Sequence, residues 1–318
     1  MNTNKTVSVI MATYNGEKYL REQIDSILNQ TYPIHELIIQ DDCSKDSTPQ
    51  IAQEYADRYP QVKFFRNPQN MGLNENFKTA AMHTTGDLVA ISDQDDVWYA
   101  DKIEKQVAAI GNHDICYSDL SRGKTIDNVY TKTYKGTFGS NLFFGIAGHT
   151  MLLQGDFIRK AQHWMKDFWY DWSLAIYAHT QNGIIRVAEP LNWHRDYAES
   201  VTNSQHAQYF GDEHGSHPTW QPYAEGLTNY RILQQKPRFR KFYETIYDMT
   251  KDSAFSMEHT MCEYLLSKRL TDLFKLCCIC CSHRSDIYPS NNIKGWRGAI
   301  RGFFYPFIFS YHCTLFDD

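Results

Sequence analysis

The chain of 318 residues sets 32 Lys and Arg against 37 Asp and Glu, a formal charge of −5, and is 42% hydrophobic and 22% charged. That balance fits one large soluble domain or two smaller ones and excludes a disordered or fibrous chain. Residues 225–318 carry 13 basic and 10 acidic side chains (net +3), leaving 19 and 27 (net −8) for residues 1–224. With no dense basic stripe to neutralise phosphates, a general nucleic-acid binder is excluded as well.

Strand and helix patterns alternate through the first ~110 residues, as in a parallel sheet. Val7 to Ala12 is an apolar strand, and Tyr19 to Asn29 places Leu20, Ile24, Ile27 and Leu28 at helical spacing. Glu36 to Gln40 is the next strand, ending in Asp41 and Asp42, and Ser44 to Thr48 offers caps for a helix through Gln50–Tyr59. A strand at Val62–Phe65, a helix over Asn74–His83 and a strand at Asp87–Ile91 follow. Polar clusters thus succeed strands at 13–17, 41–48, 66–76 and 92–96, and in an open α/β sheet those carboxyl ends face one ligand crevice. Beyond residue 110, Asp114–Asp119 and Gly148–Leu153 read as strands, Trp172–Thr180 as a helix, Ile184–Val187 as a strand, and Thr228–Ser282 as helix interrupted near Pro237.

No stretch approaches ~20 apolar residues and Met1–Thr6 has no signal-peptide pattern, so a cytoplasmic protein without a membrane span is expected. The tail from Lys294 to Tyr311 mixes Lys294, Arg297 and Arg301 with many aromatics. It reads either as a membrane-surface element or as a tail packed on its own domain. Cys277, Cys278, Cys280 and Cys281 lie too close along one helix to surround a tetrahedral metal and are expected to be reduced thiols.

Asp93, Gln94, Asp95 and Asp96 end a buried strand. Crowded carboxylates repel one another unless a cation offsets them, and Mg²⁺ or Mn²⁺ bound by one or two carboxylates plus phosphate oxygens would do so. An Asp-rich turn by itself is also an ordinary solvated loop or helix cap. In this chain it follows Val7–Asn15 (VSVIMATYN), Glu36–Ser44 (ELIIQDDCS), Asp46–Thr48, Asn70–Gly72 and Gly86–Asp87 in fixed order. Together these motifs resemble the family 2 glycosyltransferases, inverting enzymes of the GT-A fold, closely over residues 7–110 and more weakly to about residue 205.

The resemblance implies a fold, a reaction and a set of residues. The expected architecture is a mostly parallel central sheet with flanking helices, a GT-A domain over residues 1–220, and a helical C-terminal region over 221–318. Ala12 and Tyr14 would contact the nucleotide, Tyr14 offering its ring to the base. Asp42 would accept a hydrogen bond from the base, with Cys43 standing where the family usually has Gly. Asp93 and Asp95 match the DxD positions that hold the metal bridging the diphosphate, Asp93 also matching a ribose contact, and Asp96 is a further candidate for that duty. Tyr170–Leu174 fills the place of the general base, which would be Asp171; its rival reading is a helix N-cap. Gly145–Met151 and Glu189–Arg195 match the subset resembling bacterial rhamnosyltransferases of cell-surface polysaccharide synthesis (O-antigen or capsule). There His194 and Arg195 would clamp the diphosphate, although Asp196 and Tyr197 stand where family members often have a His. Asp119 reads as structural; His149 reads either as lining the acceptor pocket or, by default, as a satisfied structural His; and Trp98, Trp169, Trp172 and Trp193 offer a ring for sugar stacking, with core packing the default for each.

The resulting expectation is an enzyme moving a hexosyl group from a nucleoside diphosphate sugar to a glycan or lipid-linked oligosaccharide, with peripheral contact at the inner membrane face. Two rivals remain. One is a sugar-phosphate nucleotidyltransferase, which would need a Gly-rich, Lys/Arg-bearing first loop that Ala12–Gly16 lacks. The other is a catalytically inactive nucleotide-sugar-binding module.

Overall fold

In the computed structural model, residues 5–166, 168–196, 220–251, 253–288 and 293–315 are described. The chain divides into two compact units, Met1–Tyr134 with Ile146–Asp196, and Lys135–Gly145 with Tyr197–Asp318. The division differs from a single boundary at residue 220: Lys135–Gly145 groups with the C-terminal helices, because Phe138 and Phe143 bury their rings among that unit's aromatics.

The first unit is built on a nine-stranded mixed sheet. Strands β1 (Val7–Thr13), β2 (Glu36–Asp41), β3 (Val62–Arg66) and β4 (Leu88–Ser92) pair in parallel in the order β3-β2-β1-β4. Every residue of β1, β2 and β4 is buried, as expected for parallel strands covered on both faces. Helices α1 (Leu20–Leu28), α2 (Thr48–Arg58) and α3 (Leu73–Met82) connect them, α1 burying Leu20, Ile24 and Ile27 and α3 burying Phe77, Ala80 and Ala81.

Five elements escape the linear pattern. β5 is only Val97–Trp98, and β7 (Asn128–Lys132) is an exposed hairpin arm on β6 (Ile115–Thr125). Helix α4 (Lys102–Ile110) buries Lys102, Ile103, Gln106 and Ile110, a face whose polar members hide its periodicity. Gly148–Thr150 is a 3-10 turn, and the strand begins only afterwards as β8 (Met151–Gln154). β9 runs to Arg195 rather than stopping at Val187: after Ile184–Val187 pairs in parallel with β6, a register shift lets its second half pair with β5 as well. Short helices α5 (Phe138–Asn141) and α6 (Gly155–Ile158) precede α7 (Tyr170–His179).

The second unit also contains α8 (Gln221–Gln235), α9 (Pro237–Met249), α10 (Ser256–Leu266), α11 (Leu270–Ser282), α12 (Arg284–Ile287), α13 (Gly295–Phe303) and α14 (Tyr305–Leu315). The break falls at Lys236 because Pro237 has no N–H to continue α8 and instead opens α9. Tyr230, Phe239, Phe242, Tyr243, Leu276 and Phe309 are among its buried side chains, and Cys277 and Cys280 are buried on α11 while Cys278 is exposed.

Candidate active site

The carboxyl ends of β1, β2 and β4 are laced together. The Tyr14 N–H donates to Gln94 Oε1 (3.0 Å) and Gln94 Nε2 donates to the Tyr14 carbonyl (3.1 Å), joining the first loop to the acidic turn. Gly16 lies so close that a Cβ there would sit 2.1 Å from Gln94 Oε1. The same loop donates from Asn15 N–H to Ser44 Oγ and from Gly16 N–H to Thr48 Oγ1. Ala12 is buried at the strand end, whereas Tyr14 is 47% exposed and presents its ring outward.

Asp42 is buried, and its carboxylate accepts from Asn67 Nδ2 (2.7 Å), Met71 N–H (2.7 Å) and Gly72 N–H (2.8 Å). This explains the Asn70–Met71–Gly72 motif: the backbone turns its amides onto the acid only because Gly72 adopts φ +80°. A carboxylate has about four acceptor positions, so Asp42 keeps one for a further donor. Its neighbour Asp41 is consumed locally by Thr13, Ser44 and Arg66. Cys43 takes φ +64°, a left-handed backbone that favours glycine at this turn.

The acidic turn is held from across the sheet. Asp96 is buried and bonds His149 Nδ1 through one oxygen and His194 Nδ1 (2.8 Å) through the other, while Asn192 Nδ2 donates to it at 2.8 Å. The β5–β9 pairing brings Asn192 and His194 here, since Trp98 lies opposite Asn192. One potential ligand atom from each of Asp93, Asp96, His149 and His194 lies within 4.8 Å of the others. Burial disfavours ionised Asp96, yet the two imidazoles hold its carboxyl well below the usual range. Burial likewise opposes charging of His149, but Asp96 and Asp93 push it up to about 9. Asp93 shows the opposite balance: burial, with Asp96 and Asp95 beside it, pushes it up to about 6 against the pull of His149. Lys102, fully buried behind this turn, has no hydrogen-bond partner for Nζ, which lies 5.1 Å from the Trp98 ring, and burial pushes it down to about 8.

Asp96→Asn removes the shared negative charge and leaves a single amide oxygen for two imidazoles, His149 buried and His194 half-buried, so it is expected to destabilise the protein by about 3 kcal/mol. The wild-type contribution has a defined pH window. Asp96, depressed in the fold, stabilises above about pH 4; His149, raised in the fold, stabilises fully below about 6.5 and loses this as pH climbs through about 9. Denaturant melts between pH 6.5 and 9.5 should show wild type losing stability faster than Asp96→Asn.

Asp171 sits in the first turn of α7. Its carboxylate accepts the Trp172 N–H at 2.8 Å and backbone donation from Gly148, and burial outweighs these bonds to push its carboxyl up to about 6. Two structural links join it to the other acids. Asn74, in the first turn of α3 and two residues beyond the Gly72 amide on Asp42, donates to the Phe168 carbonyl (2.7 Å) and accepts the Tyr170 N–H (3.0 Å). On the other side Gly148 abuts the Tyr170 hydroxyl, where a Cβ would lie 2.1 Å away, and the next residue is the His149 bonded to Asp96.

The structure therefore brings Ala12, Tyr14, Asp42, Asp93 and Asp171 to one end of the sheet. Asp95 lies between Asp93 and Asp96 but is not among the four clustered donors. Arg195 is pinned between the Tyr19 ring (4.3 Å) and the Trp193 ring (4.2 Å), bonds Glu22 at 2.6 Å, and donates to the Asp95 carbonyl at 3.4 Å. Asp119 is a structural partner of Arg186, bonded through both oxygens. Trp98, Trp172 and Trp193 are buried, and Trp169 stacks on Trp172 at 5.5 Å. The linear sequence did not single out Asn192 or Lys102, and His149 read there by default as structural; the only available signal was that each is polar within a run destined for burial.

The sequence profile of Glycosyl transferase family 2 matches residues 8–187, more than half of the chain. The protein belongs to glycosyl transferase family 2. Among similar curated proteins, the putative glycosyltransferase EpsE of Bacillus subtilis is 43% identical over 114 residues, 36% of this chain and 41% of EpsE. The dTDP-rhamnosyl transferase RfbG of Shigella flexneri is 28% identical over 214 residues, 62% of this chain and 71% of RfbG. The match thus spans about two-fifths of EpsE but most of RfbG. Among solved structures, the mannosyltransferase PcManGT of Pyrobaculum calidifontis, in complex with GDP-Man and Mn²⁺, superposes with a TM-score of 0.58 at 15% identity, covering 100% of this chain and 89% of that one. At that identity the likeness carries the fold: this family 2 member has the expected GT-A-like sheet with a helical C-terminal region.

Proposed function

We propose that this family 2 protein transfers a sugar, with inversion, from a nucleoside diphosphate sugar to a hydroxyl of a growing cell-surface glycan. One observation carries the reading: three carboxylates in different surroundings face one end of the sheet. Asp42 is held by N–H donors, Asp93 is crowded by Asp95 and Asp96 and raised to about 6, and Asp171 is raised to about 6 across the site. In this assignment Asp42 accepts the N–H of the nucleobase, and Ala12 and the Tyr14 ring flank that base.

The donor set fits Mg²⁺ or Mn²⁺, because Asp93 is a half-buried acid whose neighbouring carboxylates favour a cation, while the oxygens of Asp96 are already engaged by imidazoles and Asn192. We therefore assign Asp93 and Asp95 as the residues that would hold it; a divalent ion there would supply charge neutralisation for the leaving diphosphate. Arg195 braces the backbone of Asp95 from the rim. Asp171 takes the proton of the acceptor hydroxyl as its oxygen bonds to the anomeric carbon, and the diphosphate leaves with the electron pair of the broken C–O bond. The half-buried Trp169 ring, backed by Trp172, suits an acceptor sugar face.

The similarity to RfbG supports a dTDP-linked deoxyhexose such as rhamnose as donor, and we take the acceptor to be lipid-linked, with the protein peripheral at the inner membrane face. The test is a panel of dTDP-, UDP- and GDP-sugars incubated with the protein and Mn²⁺, measuring free nucleoside diphosphate. Release with one donor, abolished by chelator, is expected; binding without release would mark an inactive binding module, and pyrophosphate exchange a nucleotidyltransferase.

A further inference from the structure

Helix α13 has three distinct faces. Gly298 and Gly302 are buried, and the packing there is close: a Cβ on Gly302 would meet the Arg284 Cβ at 2.9 Å and the Cys280 carbonyl at 3.1 Å. Trp296 and Ile300, four residues apart on another face, are 70% and 43% exposed. Arg297 and Arg301 form the third stripe, and Lys294 precedes the helix. On α11, Leu270 and Phe274, also four apart, are each 61% exposed, and the Phe274 ring meets Phe303 of α13 at 5.7 Å, which makes the two apolar stripes continuous.

We propose that this α11–α13 face docks onto an anionic lipid bilayer. Exposed apolar side chains of this size on adjoining helices are unusual on a monomer surface and point to an interaction site. Charge selects the partner. Residues 293–315 contain Lys294, Arg297 and Arg301 and no Asp or Glu, while residues 1–224 carry net −8, so this basic, apolar face suits a negative surface that repels the net-acidic part of the chain. The mode is interfacial: among the described residues no helix is long and apolar enough to cross a membrane. Trp296, Ile300, Leu270 and Phe274 enter the acyl boundary, and the arginines remain at the headgroups.

The full-length protein is sedimented with vesicles of phosphatidylglycerol and phosphatidylethanolamine or of phosphatidylcholine alone, at several salt concentrations. Wild type is expected to bind the anionic vesicles and to lose binding as salt rises. The double change Trp296→Ser with Ile300→Ser should weaken binding at least 10-fold. Arg297→Glu with Arg301→Glu should weaken it roughly 100-fold and remove the salt dependence. Trp296, Arg297 and Ile300 are exposed and Arg301 is half-buried, so circular dichroism and melting temperature serve to confirm that each variant folds. Absence of binding by folded wild type, or wild-type binding by both variants, overturns the proposal. So does a dimer that the Trp296/Ile300 variant dissolves, which would make this face a contact between copies. The measurement uses no donor or acceptor, so its outcome is independent of the catalytic assignment.

Discussion

Asp171→Asn is expected to lower turnover by about 10²–10⁴-fold while nucleotide-sugar affinity changes little. The amide keeps an oxygen for the Trp172 N–H but cannot take a proton from the acceptor. Stability should move the other way. Burial raises the carboxyl to about 6 from an unfolded value near 4, so the folded state binds more protons than the unfolded chain between those values and stability falls as pH rises through that window. Above pH 6 the ionised group destabilises the fold, and the neutral amide is expected to recover on the order of 1–3 kcal/mol at pH 7.5. An inactive, more heat-resistant variant is the signature of a buried base. A helix cap predicts the reverse, a modest loss of stability with activity kept. In wild type, kcat/KM should fall tenfold per pH unit below about 6. Initial rates with the donor identified by nucleotide release, paired with thermal melts, decide the point; undiminished turnover would remove Asp171 from the reaction.

Asp93→Ala and Asp95→Ala, taken singly, are each expected to weaken Mn²⁺-dependent binding of the nucleoside diphosphate by roughly 100-fold, about 2.7 kcal/mol. Binding that persists in chelator, carried by Asp42 and Tyr14, should be unaffected. Two ligand sets compete at this turn. Asp93 with Asp95 follows the motif, whereas Asp93 with Asp96, His149 and His194 follows proximity. They separate experimentally: under the first, His149→Gln leaves metal-supported affinity near wild type, and under the second it falls as far as Asp93→Ala does. Isothermal titration with and without Mn²⁺ reads both. Equal metal-supported binding by wild type and the Asp95 variant would remove Asp95 from the metal site.

Much of the catalytic unit was legible in the linear chain because its signals are local. Val7–Thr13, Glu36–Asp41 and Leu88–Ser92 are continuous apolar runs, Leu20–Leu28 repeats at helical spacing, and each polar cluster follows its strand directly. The turn carrying Asp42 is readable for the same reason, since Met71 and Gly72 supply its backbone amides, and Asn70 Nδ2 donates to its carbonyl, through a geometry that only a few residue types adopt. Elements lacking such signals went unseen. β5 has two residues, β7 exposes polar side chains, and the buried face of α4 carries Lys102 and Gln106.

The amino-acid sequence alone determined the sheet-forming order of the first four strands, the family, and the acids at 42, 93, 95 and 171 as those to watch, because hydrophobic period and turn chemistry act over a few residues. Only the tertiary structure decided what those acids meet. Asp96 became a buried anion shared by two imidazoles because strand pairing brings residues about 50 and 100 positions away to it, and burial, a property of the whole fold, raised Asp93 and Asp171. The same holds for the C-terminal region: the basic and aromatic composition was plain, but the packing of Gly298 and Gly302 against their neighbours is what turns Trp296 and Ile300 outward beside Phe274.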